Sequence, residues 1–324
     1  MSIDAKKIQR LISEASNVVI MAHKNLDLDS LGSSLGIFYI CKSLGKNVFL
    51  LIEEETLEMG VSRSINELKR QKININIKTL NELKEVIDNK TLLIIVDVHI
   101  PSLTQNKEAL AIIDNKIIID HHIKDKEIIL DPIYEYICEM KSSAAEIVIE
   151  LIRELNVYIP SYVATIMLAG IVIDTNSFSI KTNHKTYESA SFLHQQADDS
   201  KELQYLLKED LNRYIQRQKI INGVEIIEHT IAIGLGDKDY TYYKEDLAKV
   251  SDTLLLFNHI ECSFTIGKID DNIVGISARS LGNIDVQKIM EMLDGGGHIT
   301  DAATQLKDIS ITEARERLLE VIKK

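Results

Sequence analysis

Four groups of acidic and histidine residues each follow a short apolar run: His23, Asp27 and Asp29; Asp97; Asp120, His121 and His122; and Asp174. Carboxylates and imidazoles without cysteine suit Mn²⁺, Fe²⁺ or Mg²⁺, whereas Zn²⁺ is less favoured because no thiolate is present. Several carboxylates in one place repel one another unless cations neutralise them. Two metal ions that share one carboxylate would relieve this repulsion, and such pairs hydrolyse phosphate esters. The pattern therefore predicts a two-metal hydrolytic site.

Each of these groups also has an ordinary structural explanation when it is taken alone. An Asp that follows a strand often caps the next helix, and neighbouring histidines such as His121 and His122 are compatible with a surface position. The functional interpretation depends on the four groups together, because a structural explanation must then account for four coincidences.

A glycine run near the C-terminus is a separate feature: Gly295, Gly296 and Gly297, followed by His298. Consecutive glycines allow backbone N–H groups to approach an anion closely. The structural alternative is a turn that follows a predicted helix at 284–293. The run by itself does not decide between these two interpretations.

The elements that would position the first four groups alternate between buried strands and helices. Apolar runs predict strands at 17–22, 47–52, 91–98 and 116–120, and helices are predicted at 30–44, 61–70, 142–155 and 162–173. Short apolar strands separated by helices are typical of an α/β fold with a parallel sheet covered on both faces. Ligands bind at the carboxyl ends of such strands. We therefore expect all four groups, Asp174 included, to lie at strand ends and to converge.

The second half of the chain predicts a different architecture. Polar helices are expected at 184–196 and 201–221, then strands at 230–236, 261–269 and 272–279, then a helix at 284–293, the glycine run as a loop, and further helices. We place a catalytic metal-binding domain at 1–195, a helical linker at 196–222 and a substrate-binding domain at 223–324.

Composition excludes several classes of protein. With 324 residues the chain is long enough for two domains. Its net charge of −12 disfavours binding of long nucleic acid. No apolar run is as long as a membrane span, and the N-terminus does not resemble a signal peptide. Three isolated cysteines, Cys41, Cys138 and Cys262, indicate a reducing compartment. These features predict a cytoplasmic chain without membrane contact.

The motifs resemble a known superfamily. His23-x3-Asp27-x-Asp29, Asp97, Asp120-His121-His122 and Asp174 resemble the motifs of the DHH phosphoesterases, and the glycine run resembles the glycine motif of the DHH-associated C-terminal domain. The segments MAHKNLDLDSLGSSLG, IDHHIKD and GGGHITDAATQL resemble the catalytic half of GdpP-type cyclic-di-AMP phosphodiesterases. The resemblance implies an α/β fold with an N-terminal parallel-sheet DHH domain, a smaller α/β C-terminal domain and an active site in the cleft between them.

Members of that subgroup normally carry two transmembrane helices, a PAS-like domain and a degenerate GGDEF domain before this region. The resemblance therefore implies that the chain is either an excised catalytic fragment or a stand-alone relative.

The resemblance also implies a role for each site residue. His23, Asp27 and Asp97 would hold one metal ion, and Asp29, Asp97, His121 and Asp174 would hold the second, with Asp97 bridging. His122 would face the substrate phosphate, and Asp120 would support the two histidines. Substrate binding would fall to residues of the C-terminal domain: Arg279, Gly295, Gly296, Gly297 and His298.

The implied activity is a manganese-dependent phosphodiesterase that opens cyclic-di-AMP to linear pApA. An alternative within the superfamily is a nanoRNase or pApA hydrolase that releases mononucleotides, and a catalytically inactive nucleotide sensor is an alternative from another class. A manganese pyrophosphatase is disfavoured because its C-terminal domain lacks the glycine run. The implied cofactors are two divalent metal ions, and the implied ligand is a small cyclic or linear adenine dinucleotide. The oligomeric state stays open, with a homodimer as one option.

Overall fold

Apolar runs form the strands of the first of two units, Met1–Lys208 and Glu209–Lys324. The structure is a computed structural model that describes residues 3–53, 57–197 and 200–322. Six strands of the first unit form one sheet: β1 (Asn17–Met21), β2 (Asn47–Leu51), β3 (Ile77–Lys78), β4 (Leu92–Val96), β5 (Asn115–Asp120) and β6 (Tyr134–Ile137).

All neighbouring strands of this sheet run parallel, in the order β3-β2-β1-β4-β5-β6. The described helices of this unit lie between and after the strands: α1 (Ala5–Glu14), α2 (Leu28–Ser43), α3 (Met59–Arg70), α4 (Leu80–Leu83), α5 (Lys107–Ile112), α6 (Ala144–Glu154), α7 (Ser161–Asp174), α8 (His184–Gln196) and α9 (Ser200–Leu206). This is the α/β architecture that the apolar runs predict.

Both faces of the sheet are buried, which explains the continuous apolar runs in its central strands. Val18 and Ile20 of β1 belong to the core on the side of α2, α6 and α7. Val19 and Met21 belong to the core on the side of α4 and α5. Because successive side chains of a strand point to opposite faces, a strand covered on both sides needs a continuous apolar run.

The strand order reverses between β1 and β4, the two central strands. In open parallel sheets, a crevice for ligands forms at the carboxyl ends of the two strands where the order reverses. His23 follows β1, and Asp97 follows β4 directly. Two of the four predicted groups therefore begin at the reversal point.

Helices α2 and α7 approach each other closely through glycines. A Cβ atom on Gly32 would lie 2.9 Å from the Cα atom of Met167, and a Cβ atom on Gly170 would lie 2.7 Å from the Cα atom of Asp29. Any side chain at these positions would force the two helices apart. The close approach brings Asp29 on α2 near Asp174 at the end of α7.

The second unit contains a mixed sheet, in the order β11-β12-β10-β9-β8-β7, in which β8 and β9 are parallel and the other neighbours are antiparallel. Its strands are β7 (Glu225–Ile227), β8 (Ile231–Leu235), β9 (Cys262–Asp270), β10 (Ile273–Ser280), β11 (Gly296–His298) and β12 (Asp301–Lys307). Its described helices are α10 (Leu211–Asn222), α11 (Lys244–Leu254), α12 (Val286–Glu291) and α13 (Ile311–Ile322).

Two expectations for the C-terminal region are wrong. The glycine run was expected as a loop, but Gly296, Gly297 and His298 form β11. Helices were expected to follow it directly, but β12 comes first, and only then α13. In β12 the buried positions alternate through Ala302, Thr304 and Leu306. Small and polar residues on this strand hide the two-residue period that a more apolar strand would show.

The segment predicted as a connector between domains forms two helices, α9 and α10, separated by 207–210. Helix α10 packs within the second unit, where the Arg217 guanidinium contacts the buried carboxylate of Asp246 at 2.7 Å. The proposed domain boundaries stay predictions. No helix in the described part of the chain is long and apolar enough to cross a membrane.

Candidate metal centre

His23 lies just beyond β1 and presents one particular ring nitrogen. Its Nδ1 atom lies 2.7 Å from the carbonyl oxygen of Lys24, and since a carbonyl only accepts, Nδ1 carries the proton. Nε2 is then the nitrogen available to bind a ligand. It lies 3.6 Å from Asp27 Oδ2 and 3.3 Å from Asp97 Oδ2. A backbone partner of this kind orients a metal-binding imidazole.

Asp27 has the structural role anticipated for an Asp after a strand, and it also faces the site. It is the N-cap of α2, where Oδ1 accepts a hydrogen bond of 2.9 Å from the Ser30 backbone N–H. The other oxygen, Oδ2, is the atom near His23. The structural and the functional interpretation are therefore compatible, because each uses a different carboxylate oxygen.

Asp97 follows β4 and is 2% exposed. Its backbone has a φ of 61°, in the left-handed region that non-glycine residues rarely adopt. Such strained positions concentrate at functional sites. Its two carboxylate oxygens face different groups: Oδ2 lies 3.3 Å from His23 Nε2, and Oδ1 lies 3.2 Å from His121 Nε2. This is the geometry of a carboxylate that can bridge two ions.

Asp29 and Asp174 form the other side of the cluster. Asp174 is the last residue of helix α7, so the expectation that it follows a strand is wrong. It still converges with the other groups, since Asp174 Oδ2 lies 3.2 Å from His121 Nε2. Asp29 is fully buried at the start of α2, where its two oxygens accept backbone hydrogen bonds from Ala144 (2.7 Å) and Ala145 (2.9 Å). The N-terminus of α6 thus holds this carboxylate in place.

Three overlapping groups of side chains could each hold a metal ion: His23, Asp27 and Asp97; Asp29, His121 and Asp174; and Asp97, His121 and His122. Within each group the candidate ligand atoms all lie within 4.8 Å of one another. The first group has the residues of the first ligand set expected from the sequence, and the second group has three of the four residues of the second set, without Asp97. The ligand assignment itself stays a prediction. The third group contains His122, which the sequence analysis assigns to the substrate phosphate.

The bonding pattern fits a bound cation. Asp97 Oδ1 and both ring nitrogens of His121 are buried and have no hydrogen-bond partner among the described residues. A buried polar atom without a partner costs about 1–3 kcal/mol. Yet His121 Nε2 lies 3.2 Å from both Asp97 Oδ1 and Asp174 Oδ2. A divalent ion bound among these atoms would interact with all three: Asp97 Oδ1, Asp174 Oδ2 and His121 Nε2.

The charges in this cluster strongly perturb its ionisation. Burial alone would lower the pKa of His23, but Asp27 and Asp97 outweigh it and raise the pKa to about 12. Burial likewise opposes protonation of His121, yet Asp174 and Asp97 raise its pKa well above the usual range. Burial and then repulsion by Asp174 raise the pKa of Asp29. The cluster therefore attracts positive charge, supplied either by protons or by metal ions.

Asp97 is the exception among the carboxylates. Burial would raise its pKa, but the neighbouring imidazoles of His121 and His23 hold the pKa well below its usual range. It therefore keeps its negative charge next to the two histidines. An ionised carboxylate at the centre of the cluster is what a bridging ligand requires.

Asp120 and His122 occupy the rim of this cluster. Asp120 is fully buried, and its Oδ1 accepts from the backbone N–H of His121 (2.7 Å), the backbone N–H of His122 (3.1 Å) and His122 Nδ1 (2.8 Å). The His122 side chain is 51% exposed. Asp120 thus contacts both residues, His121 through its backbone alone, and His122 has the most exposed imidazole of the cluster.

The predicted substrate residues lie together in the second unit. Arg279 of β10 is directly opposite Asp301 of β12, and Asp301 is directly opposite His298 of β11. The Arg279 guanidinium is engaged by two carboxylates, with Nε 2.7 Å from Asp252 and an Nη atom 2.8 Å from Asp301. These two carboxylates engage Nε and one Nη atom, so an anionic ligand at Arg279 would meet a guanidinium that is already partly neutralised.

The three glycines differ in what a side chain would meet at each position. A Cβ atom on Gly295 would lie 2.3 Å from the carbonyl oxygen of Ala303, and one on Gly297 would lie 2.4 Å from the Cα atom of Ala302. Gly297 also has a φ of 143°, which side chains rarely allow. A Cβ atom on Gly296 would meet no atom within 4 Å. Packing in this hairpin of β11 and β12, the glycine hairpin, explains two glycines and leaves Gly296 unexplained.

Sequence reasoning missed Ser30 and His99. The Ser30 hydroxyl donates to Asp97 Oδ2 at 2.7 Å and also contacts His23 Nε2, so it lies among the first ligand set. His99 is buried and contacts Asp120. Both residues are close in sequence to predicted ligands, Ser30 after Asp29 and His99 after Asp97. This closeness in sequence to the predicted ligands is the signal that could have identified both residues.

Comparison with known proteins agrees with this geometry. Residues 17–171 match the DHH family, N-terminal domain, and residues 230–324 match the DHHA1 domain. The chain therefore carries a DHH N-terminal domain followed by a DHHA1 domain.

Among curated proteins, the chain is 40% identical over 319 residues to the cyclic-di-AMP phosphodiesterase GdpP of Geobacillus thermodenitrificans, covering 97% of the chain and 48% of that protein. It is 37% identical over 322 residues to the cyclic-di-AMP phosphodiesterase PdeA of Listeria monocytogenes, covering 98% of the chain and 49% of that protein. The chain thus spans about half the length of these relatives.

Among solved structures, an exopolyphosphatase-related protein from Bacteroides fragilis superposes with a TM-score of 0.81 at 18% identity. The superposition covers 98% of this chain and 95% of the other. At this identity the likeness concerns the fold, and it supports the α/β arrangement of both units.

Proposed function

We propose that the chain is a two-metal phosphodiesterase that hydrolyses cyclic-di-AMP to linear pApA. The observation that carries the proposal is Asp97, whose two oxygens face His23 and His121 on opposite sides. A site with one bridging carboxylate between two ligand sets is a recurrent device for phosphate-ester hydrolysis. The names of the curated relatives supply the substrate.

Each metal site would use the residues named from the sequence. His23, Asp27 and Asp97 would hold the first ion. The second ion would be held by Asp29, Asp97, His121 and Asp174. The ligand atoms are oxygen and nitrogen without sulfur, which supports Mn²⁺ as the preferred ion. When bound, the two ions would lower the pKa of a water molecule and neutralise charge on the phosphate.

The chain's own residues have separate tasks in this proposal. The α6 N-terminus, through the N–H groups of Ala144 and Ala145, orients the Asp29 carboxylate. His122, held by Asp120 through Nδ1, presents its exposed ring to the substrate phosphate and stabilises negative charge there. Neither task requires the chain to change its backbone.

The second unit would bind the nucleotide through Arg279, the three glycines and His298. Gly296 supports this assignment, because packing does not explain its lack of a side chain. Backbone at such a position can approach a ligand closely. Arg279 would contribute alongside Asp252 and Asp301, which already engage its Nε atom and one Nη atom.

The test is turnover of cyclic-di-AMP, pApA and pyrophosphate by one preparation loaded with Mn²⁺. We expect cyclic-di-AMP to be converted to pApA, with pyrophosphate left intact. Mononucleotides formed faster from pApA than pApA from cyclic-di-AMP would instead indicate a pApA hydrolase. Binding of cyclic-di-AMP without turnover of any of the three would indicate a sensor.

A further inference from the structure

His99 is a buried histidine for which the metal centre has no direct use. Its side chain is 1% exposed. Nδ1 lies 2.5 Å from Asp120 Oδ2, and Nε2 lies 3.0 Å from the backbone nitrogen of Asp125. The His99 ring therefore connects the carboxylate of Asp120, which contacts His121 and His122, to the segment that follows these two histidines.

These two contacts determine which nitrogen of His99 carries the proton. The backbone amide of Asp125 is a donor, so Nε2 must accept and cannot carry a proton. A neutral imidazole then has its proton on Nδ1, which donates to Asp120 Oδ2. His99 is therefore the donor and Asp120 the acceptor of this hydrogen bond.

The hydrogen bonds of Asp120 also determine which nitrogen of His122 carries a proton. Its Oδ1 accepts three hydrogen bonds, from two backbone N–H groups and from His122 Nδ1. His99 donates to Oδ2, and an ionised carboxylate has no proton to give, so it can only accept. His122 must therefore carry a proton on Nδ1, and Nε2 is the nitrogen that it presents.

We propose that His99 is a positioning residue that, through Asp120, fixes the tautomer and orientation of His122 for the phosphodiesterase reaction. The catalytic part of this inference rests on the proposed function. The competing explanation is purely structural: His99 would serve only to hold the segment after β5, through Asp125 N–H and through its own carbonyl oxygen, which accepts from Ile129 N–H at 2.9 Å.

Two substitutions separate these explanations because amides can imitate one ring nitrogen at a time. In His99→Asn the side-chain NH₂ takes the place of Nδ1 and keeps the bond to Asp120. In His99→Gln the side-chain oxygen takes the place of Nε2 and keeps the bond from Asp125. We expect His99→Gln to lower kcat about 10- to 100-fold, as is usual for partners behind a metal site, with KM little changed. His99→Asn should recover most of that loss.

The reverse order would overturn the proposal, because a structural role requires the Asp125 contact. Equal kcat for both variants and the wild type would also overturn it. Metal content and the thermal midpoint, measured on each preparation, show whether a lower kcat reflects lost metal or lost fold.

The imidazole ¹⁵N chemical shifts of His122 test the same proposal without turnover, in the wild-type protein loaded with diamagnetic Mg²⁺. A proton on Nδ1 is expected, and a proton on Nε2 alone would overturn the proposal even if both variants unfold. This measurement also separates the two hypotheses: if cyclic-di-AMP is not hydrolysed, the proposed function fails, while the tautomer result still tests the hydrogen-bond direction between Asp120 and His122 on which the role of His99 depends.

Discussion

The sequence indicated both the metal centre of the first unit and the glycine hairpin of the second. Their structures differ in how directly they indicate a bound ligand. The metal centre leaves physical signs of a missing positive charge. Its buried atoms at Asp97 and His121 lack hydrogen bonds, and the pKa of His23 is raised to about 12. The glycine hairpin carries no such sign, since packing explains Gly295 and Gly297.

The difference teaches that a ligand cluster and a glycine motif need different tests. Polar atoms brought together at a cost indicate a ligand directly, because water or an ion must offset that cost. A glycine indicates a ligand only where a side chain would fit the fold. Gly296 is that position, and the following predictions begin with the cluster and move to the hairpin.

The largest effect is expected for Asp97→Ala, because one substitution removes a ligand from both ions. Loss of a single transition-state donor costs about 10²–10³ in rate, and loss of the ion pair should cost more. Turnover of cyclic-di-AMP and bound metal should fall together. The exposed Asp114→Ala serves as the control for removal of a surface carboxylate. Turnover above a tenth of wild type in Asp97→Ala is incompatible with a bridging role.

His121 and His122 should differ from each other although they are adjacent. His121 lies between Asp97 and Asp174, so His121→Ala should reduce bound metal. His122→Ala should keep metal near the wild-type amount and lower turnover by about 10²–10³. Elemental analysis of both variants distinguishes the two roles. Equal loss of metal would assign His122 to the third ligand group instead.

Sequence reasoning succeeded where one physical cause dominates. Strands β1, β2, β4 and β5 were located to within two residues at either end, because burial on both faces demands continuous apolar runs. The candidate ligand residues predicted from the sequence lie together in the structure, because few other causes place so many carboxylates and histidines after such runs. It failed for β12, where small residues obscure the period, and it placed Asp174 at a strand end although a helix was predicted up to residue 173.

The hydrogen bonds around the ligands could not be predicted in the same way. Ala144 and Ala145 contribute backbone N–H groups to Asp29, and such contacts carry no residue-specific signal. They arise from the approach of α6 to α2, which depends on packing over more than a hundred residues. His99 was overlooked for a similar reason, since its proposed role depends on its contacts with both Asp120 and Asp125.

In the glycine hairpin, Gly296→Val and Gly297→Val form a matched pair. Gly296→Val should leave the thermal midpoint and the metal content unchanged while raising KM for cyclic-di-AMP about tenfold or more, which corresponds to about 1.4 kcal/mol of binding. Gly297→Val should lower the thermal midpoint, because its Cβ atom would meet the Ala302 backbone. A folded, metal-loaded Gly296→Val protein with unchanged affinity for cyclic-di-AMP would show that the glycine run has only a structural role.

A smaller effect is expected for the pH dependence of metal binding. The raised pKa values of His23 and His121 mean that both rings are protonated at neutral pH without metal. A metal ion must displace these protons, so affinity should increase with pH, by roughly tenfold per pH unit for each proton displaced. Calorimetric titrations in two buffers of different ionisation enthalpy would measure the release. Heats that do not depend on the buffer would contradict it.

The bridging role of Asp97 is the central claim, and the magnetic state of bound Mn²⁺ tests it most directly. Ions that share a carboxylate in a two-metal site lie roughly 3.5–4 Å apart, close enough for their unpaired electrons to couple. Electron paramagnetic resonance, together with elemental analysis, should show two Mn²⁺ per chain with a coupled spectrum. A single ion per chain, or two ions with independent spectra, would contradict the two-metal account.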